Sequence, residues 1–192
     1  MKKKKIFLKL IKFLFLIILI VLGFFLGNFV YNKYEENKFK KILTENDATN
    51  YEVIERVGNE ETTVKVRDRV LISENTETKT WVDGINKKRI VMDLTYKTAL
   101  ITENDEKLKV NSLNNTYIEN YFDNPKMKFK YLGSTDRYSI LKFIHKKTKD
   151  STLLYINRET NIIEKMEQYT DDVVYTANFD VKMNSVSKEE VE

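Results

Sequence analysis

The sequence predicts a mainly β chain of the α+β type: an N-terminal transmembrane helix, then a curved antiparallel sheet forming a half-open β-barrel with few short helices. Three features lead there. Phe13 to Gly27 is a run of fifteen residues without a polar side chain. Beyond Asn50 the hydrophobic period falls from about 3.6 to 2, the change from helix to half-buried strand. Polar pairs such as Asp83-Gly84, Asn114-Asn115, Gly133-Ser134, Lys149-Asp150 and Asp171-Asp172 punctuate the alternating runs.

The helix comes first. Apolar residues extend the run back to Ile6 and forward to Tyr31, interrupted by Lys9, Lys12 and Asn28. About 20 helical residues cover a ~30 Å hydrocarbon layer. Phe13, Leu16, Ile20, Phe24 and Phe29 are the expected lipid-facing anchor. Lys9 and Lys12 can snorkel to the phosphates, and Tyr31 and Tyr34 fall where an interfacial aromatic belt belongs. Lys2, Lys3, Lys4, Lys5, Lys9 and Lys12 precede the apolar core with no acid among them, whereas Glu35 and Glu36 interleave with the lysines behind it. The positive-inside rule puts the N-terminus in the cytoplasm and the C-terminal domain outside it. A cleaved signal peptide shares the basic start, but its apolar core is shorter, and Phe25 stands where a cut after Gly27 wants a small residue.

The expected organisation is therefore a basic tail over 1–12, a spanning helix over 13–31, a helical stalk or first helix over 32–49, an extracytoplasmic β domain over 50–186 and an acidic tail over 187–192. Tyr31, Tyr34, Ile42 and Leu43 are spaced to share one helical stripe, with the helix ending near Asn46.

In the β domain, Val64, Val66, Val70 and Ile72 share one parity against Lys65, Arg67 and Arg69, with Asp68 the exception that marks a bulge. Ile90, Met92, Leu94 and Tyr96 repeat the pattern. The last strand is clearest, with Val173, Tyr175, Ala177, Phe179, Val181 and Met183 alternating with Thr176, Asn178, Asp180 and Lys182. Further strands are expected over 51–57, 81–82, 98–101, 107–110, 127–132, 138–144, 152–157 and 162–169. Asp83-Gly84 is a favoured two-residue hairpin pair, and residues 115–124, ending before Pro125, form a short helix. Connections this short imply antiparallel neighbours.

Composition narrows the function. The formal charge is +4, but residues 1–50 hold ten lysines against four acids, so the rest carries −2. A nearly neutral outer domain gives no support to nucleic-acid binding. Cysteine is absent, which removes disulfides, thiolate metal ligands and lipidation at an N-terminal cysteine. His145 is the only histidine, and five glycines are too few to build a phosphate loop. Glu103, Asp105 and Glu106 read as a solvated loop rather than a calcium site. No catalytic residue, metal ligand or cofactor is expected.

Three stretches resemble the LolA/LolB-like superfamily of lipoprotein carrier and sorting proteins, which includes RseB-type sensor domains. The first is Thr80-Trp81-Val82-Asp83-Gly84 with Arg89-Ile90-Val91-Met92-Asp93 and Lys97-Thr98-Ala99. The second runs from Leu153 through Asn157-Arg158-Glu159-Thr160-Asn161 to Lys165. The third is the closing strand Val173 to Met183 with its tail from Ser185 to Val191. The resemblance implies an open barrel around an apolar cavity partly covered by helices, a cavity that family uses for acyl chains. Trp81, Tyr117, Tyr121, Phe122, Tyr175 and Phe179 are the residues expected to line or cover it, Tyr117 and Tyr121 sharing a helix face by their i, i+4 spacing; core packing is the alternative. The function expected is a non-enzymatic, membrane-anchored binding module that holds a lipid or lipoprotein-like apolar ligand. The alternative is a protein-interaction or sensor component of a cell-envelope complex.

Overall fold

The computed structural model describes residues 2–171 and 173–191, with side chains from residue 13 onward. The side chains of the basic tail, Asp172 and Glu192 lie outside that description. One apolar N-terminal helix precedes an eleven-stranded antiparallel sheet that does not close.

Helix α1 spans Lys2–Glu45 without a break. From Phe13 to Val30 it is exposed and almost wholly apolar, the one helix among the described residues long and apolar enough to cross a membrane. Its last part is no free stalk: Phe39 and Leu43 are buried in the core of the sheet. The expected stripe is corrected accordingly. Tyr34 is 64% exposed, and the buried face runs Glu35–Phe39–Leu43, four residues apart as a helical ridge requires.

The strands are β1 (Tyr51–Val57), β2 (Glu60–Arg67), β3 (Val70–Glu74), β4 (Thr78–Asp83), β5 (Lys88–Asp93), β6 (Thr98–Thr102), β7 (Met127–Ser134), β8 (Tyr138–His145), β9 (Ser151–Asn157), β10 (Ile163–Thr170) and β11 (Val173–Met183). Their order is β6-β5-β4-β3-β2-β1-β11-β10-β9-β8-β7. Two meanders, β1 to β6 and β7 to β11, are joined side by side where β1 pairs with β11, Tyr51 opposite Met183 and Val57 opposite Ala177. Residues 103–126 lead from one edge of the sheet to the other. They include helix α2 (Asn115–Tyr117), which runs directly into a π-helical turn, Ile118–Phe122.

The turns explain how a chain with five glycines folds into so many hairpins. Asp83 accepts hydrogen bonds from the backbone N–H of Ile85 (2.8 Å) and Asn86 (2.9 Å). Asp93 does the same for Thr95 and Tyr96, and Asn157 for Glu159 and Thr160. Each of these turns then closes on a residue at positive φ: Lys87 (56°), Lys97 (54°) and Asn161 (58°). Strand-end Asp or Asn thus supplies the side-chain acceptor that stabilises a turn. His145 has the same structural role, its Nδ1 accepting from the Thr148 N–H at 3.1 Å.

Several expectations change. Asp68 is not a bulge: Asp68 and Arg69, both at positive φ, form the two-residue β2–β3 hairpin turn. The parity therefore reverses there, so Val66 faces Leu71, while Val70 and Ile72 lie with Arg67 and Lys65 on the other face. Asp83-Gly84 is not a two-residue hairpin, because four residues separate Asp83 from its partner Lys88. Gly84 sits at a close approach: a Cβ there would lie 3.1 Å from the Arg69 carbonyl oxygen, to which Gly84 N–H donates at 2.9 Å, so a larger residue would have to push its neighbours aside. Leu94 and Tyr96 lie in a turn after β5, and residues 107–110 are irregular, with Leu108 N–H turned back onto the Asp105 carbonyl. Gly133 (φ 113°) marks a bulge inside β7, not its end.

Two apolar clusters occupy one face of the sheet, here called the inner face. The larger joins Phe39 and Leu43 to Ile118, Phe129, Leu141, Phe143 and Leu154. The smaller joins Ala48, Tyr51, Val66 and Leu113.

Candidate functional site

The candidate site is an open cavity of ≈ 410 Å³, exposed to solvent along one side, between the inner face and the helical segment 115–122, where the two clusters meet. Strand alternation places Val53 and Glu55 of β1, Val64 of β2 and Phe179 of β11 on this face, because Val53 pairs with both Val64 and Val181, and Glu55 with Phe179. Met166 of β10 and Leu113 of the crossing segment complete the apolar wall. Tyr117 and Tyr121 roof it.

The roof is held from both sides. Tyr117 meets Phe179 edge to face, ring centroids 6.3 Å apart, and the Tyr121 hydroxyl lies 3.7 Å from the Met166 sulfur. Tyr121 also packs on Phe143 at 5.3 Å. Burial, with the Glu55 carboxylate nearby, pushes the Tyr117 phenol well above its ordinary value, so it remains a neutral hydrogen-bond donor. Glu55 has no hydrogen-bond or ion-pair partner among the described residues. The chemistry is that of a largely apolar slot with three phenols (Tyr51, Tyr117 and Tyr121), one carboxylate (Glu55) and the polar Thr116 and Asn120 at its lining, suited to holding an apolar group and hydrogen-bonding a polar end. Among the described residues no group of three or more His, Asp or Glu side chains is placed to hold a metal ion.

The six candidate residues separate into four places. Tyr117, Tyr121 and Phe179 line the cavity. Phe122 points instead into the larger cluster, its ring 4.9 Å from Phe143 and 6.2 Å from Phe129. Trp81 lies on the outer face, where its indole Nε1–H donates to the Val191 carbonyl at 3.2 Å. There the C-terminal residues cross the sheet, burying Val186 and Val191 and pairing Glu190 with Lys65. Tyr175 is 56% exposed near the start of β11.

No protein-family model and no curated protein matches this chain. Among solved structures it is similar to a DUF1329 family protein from Desulfovibrio piger, at a TM-score of 0.42 and 10% identity over 83% of this chain and 96% of that one. It is also similar to the MucA/MucB complex of Pseudomonas aeruginosa (TM-score 0.45, 10% identity, 82% of this chain and 60% of that one). MucB alone gives a TM-score of 0.44 at 10% identity, over 83% of this chain and 62% of that one. The chain spans about three-fifths of the length of the MucB chains.

Val53, Val64, Glu55, Leu113 and Met166 were not singled out from the sequence. Val53 and Glu55 share the parity of Tyr51 and Val57, which placed them on one strand face but not on which one. Only the pairing of β1 with β11, some 120 residues apart in sequence, brings Glu55 opposite Phe179.

Proposed function

We propose that this chain is a membrane-anchored binding module acting outside the cytoplasm, whose cavity takes up a single apolar chain such as a lipid acyl group. One observation carries the reading: the inner face is left unfilled beneath Tyr117 and Tyr121, giving ≈ 410 Å³ with mainly apolar walls. That volume lies within the usual range of ligand sites, about 300–1,000 Å³. Each buried methylene contributes about 0.8 kcal/mol, so a chain of modest length binds usefully. The apolar part of α1 is the anchor, with the N-terminus cytoplasmic.

Titration of the full chain in detergent-free nanodiscs with a fluorescent fatty acid tests this. Val64→Trp, which fills the cavity from the sheet side, is expected to weaken binding at least about tenfold, the equivalent of losing roughly two buried methylenes. Unchanged affinity in that variant contradicts the reading.

A second reading, a protein-interaction module, is favoured by the edge strand β6. All five of its residues are exposed, Leu100 and Ile101 among them. The opposite edge, β7, is covered by α1, Asn32 Oδ1 accepting the Tyr131 N–H at 3.0 Å. An uncovered apolar edge is a template for an added strand. Loss of a partner's binding on Leu100→Lys, with fatty-acid binding intact, separates the two readings.

A further inference from the structure

Residues 126–149 carry seven lysines and Arg137 against one acid, Asp136. This is the β7–β8 hairpin and the turn after it, so the near-neutral outer domain conceals one strongly basic element. Five of the seven lysines are gathered at one end, while Lys130 and Lys142 pair in mid-hairpin. Lys126 precedes β7, Lys128 opens it, and Lys146, Lys147 and Lys149 follow β8; Lys146 N–H donates to the Lys126 carbonyl at 2.9 Å, bringing the two segments together. All five are exposed and none has an ion-pair partner among the described residues.

The helix sets the height of that end. A groove of ≈ 680 Å³ is walled on one side by Phe25, Asn28 and Phe29 of α1 and on the other by Met127, Lys128, Phe129 and Lys146. From there β7 runs along the helix toward its C-terminal end, Tyr131 reaching Tyr31 (6.2 Å) and Phe39 (5.5 Å). Phe25 and Phe29 belong to the end of the apolar run. With α1 spanning the bilayer, the ammonium groups of Lys128 and Lys146 therefore lie at the level where apolar side chains give way to polar ones, the headgroup layer. The acids nearby are few and engaged. Glu36 pairs with Lys33 (2.8 Å), Asp123 with Lys40, and Asp150 with the Thr148 hydroxyl.

We propose that this lysine end is a docking surface for anionic phospholipid headgroups of the leaflet into which α1 emerges, holding the domain against the membrane. The proposal rests on the anchor reading of α1 and is independent of the cavity. Cationic side chains at a membrane surface are attracted to anionic lipid, and the attraction decays within a Debye length. The alternative partner with matching charge is an acidic protein. The membrane is favoured because residues of the apolar span themselves wall the groove.

The test uses the full chain in nanodiscs containing phosphatidylcholine and phosphatidylglycerol, with native mass spectrometry of the lipids that stay bound. The test variant is Lys126→Gln, Lys128→Gln and Lys147→Gln, which spares Lys146 and Lys149 because both donate to backbone carbonyls. The control removes the same charge elsewhere, by Lys97→Gln, Lys107→Gln and Lys109→Gln. The wild type and the control are expected to retain phosphatidylglycerol in excess by about tenfold, a preference that falls as salt rises, and the hairpin variant to lose most of it, keeping only the share that the six lysines of the basic tail hold in the opposite leaflet. An equal excess in the hairpin variant, or an equal loss in the control, overturns the proposal. So does binding of poly-glutamate without preference between the two lipids, which would make this end a protein-docking face. A chain that fails to enter the discs refutes the anchor, and the proposal with it; a chain that enters without lipid preference refutes the proposal alone.

Discussion

The side-chain amide of Asn114 donates to the carbonyl of Leu43, 3.0 Å away, and to that of Asn46 at 3.1 Å. Asn114 is 1% exposed and Leu43 wholly buried. The last carbonyls of a helix have no partner within it; here a residue some seventy positions later supplies one. Asp47 locks the same junction, its carboxylate accepting from the Asn114 N–H at 2.7 Å and from the Ser112 hydroxyl. The end of α1 and the start of the cavity roof are thereby one unit.

Asn114→Ala leaves the buried Leu43 carbonyl and the part-buried Asn46 carbonyl without this donor. Each unsatisfied buried group costs about 1–3 kcal/mol, so the variant is expected to lower the urea midpoint of the full chain by a matching amount. Loss of cavity binding should accompany it, since the roof begins at Asn115. A midpoint unchanged from wild type contradicts the junction described.

The continuity of α1 into the core makes a contrasting pair. Leu43→Ala removes a side chain buried among Ile118, Leu141 and Phe143 and is expected to cost about 2–5 kcal/mol. Tyr34→Ala, on the exposed side of the same helix, should stay within about 0.5 kcal/mol. Equal small effects, read from unfolding curves of both variants, would mean that the helix is a mere stalk.

Acid stability follows from Glu164 and Glu167. Burial pushes both carboxyls up, but hydrogen bonds outweigh it: Arg137, Asn157 and Tyr138 hold Glu164 below the ordinary carboxylate range, and Lys165, Tyr169 and Tyr155 do the same for Glu167. The folded state thus binds these protons more weakly than the unfolded chain. Their contribution is complete above the unfolded carboxylate pKa, about 4.3, and is lost as pH falls through the folded values. Glu164→Gln should flatten the acid limb of a plot of Tm against pH.

At the alkaline end, burial and then the Asp47 charge push the Tyr51 phenol from 10.0 up to about 12. The folded state keeps a proton that the unfolded chain releases. Stability from this group is present below pH 10 and lost as pH rises toward about 12. Tyr51→Phe should reduce that loss, measured as Tm between those two pH values.

Much of the fold is legible in the sequence because it rests on local rules. The parity of Val173 to Met183 marks β11 end to end, and residues 51–57 coincide with β1. The misread turns have two causes. Asp68-Arg69 and Lys97 take positive φ in turns without glycine, so no glycine signal marks them and the parity of Val70 and Ile72 points to the wrong face, whereas Asp83-Gly84 carries a glycine signal but the turn runs on to Lys87. Phe39 was missed from the helix stripe because charged neighbours, Lys38 and Lys40, flank it. The cavity is legible only in part. Tyr117 and Tyr121 follow from helical spacing, whereas Glu55 meets Phe179 through a pairing that no local pattern announces. The basic end of the β7–β8 hairpin disappears in the domain's overall −2, since charge summed over a domain says nothing of how it is placed.

The central claim is that the inner face beneath Tyr117 and Tyr121 receives an apolar chain. Its most direct test is photo-crosslinking of the full chain in nanodiscs with a diazirine-bearing fatty acid, followed by mapping of the labelled peptides. Labels on Leu113–Tyr121 and on Phe179, suppressed in Val64→Trp, are the predicted result. Labels confined to residues 13–31, or to the outer face around Trp81, would contradict it.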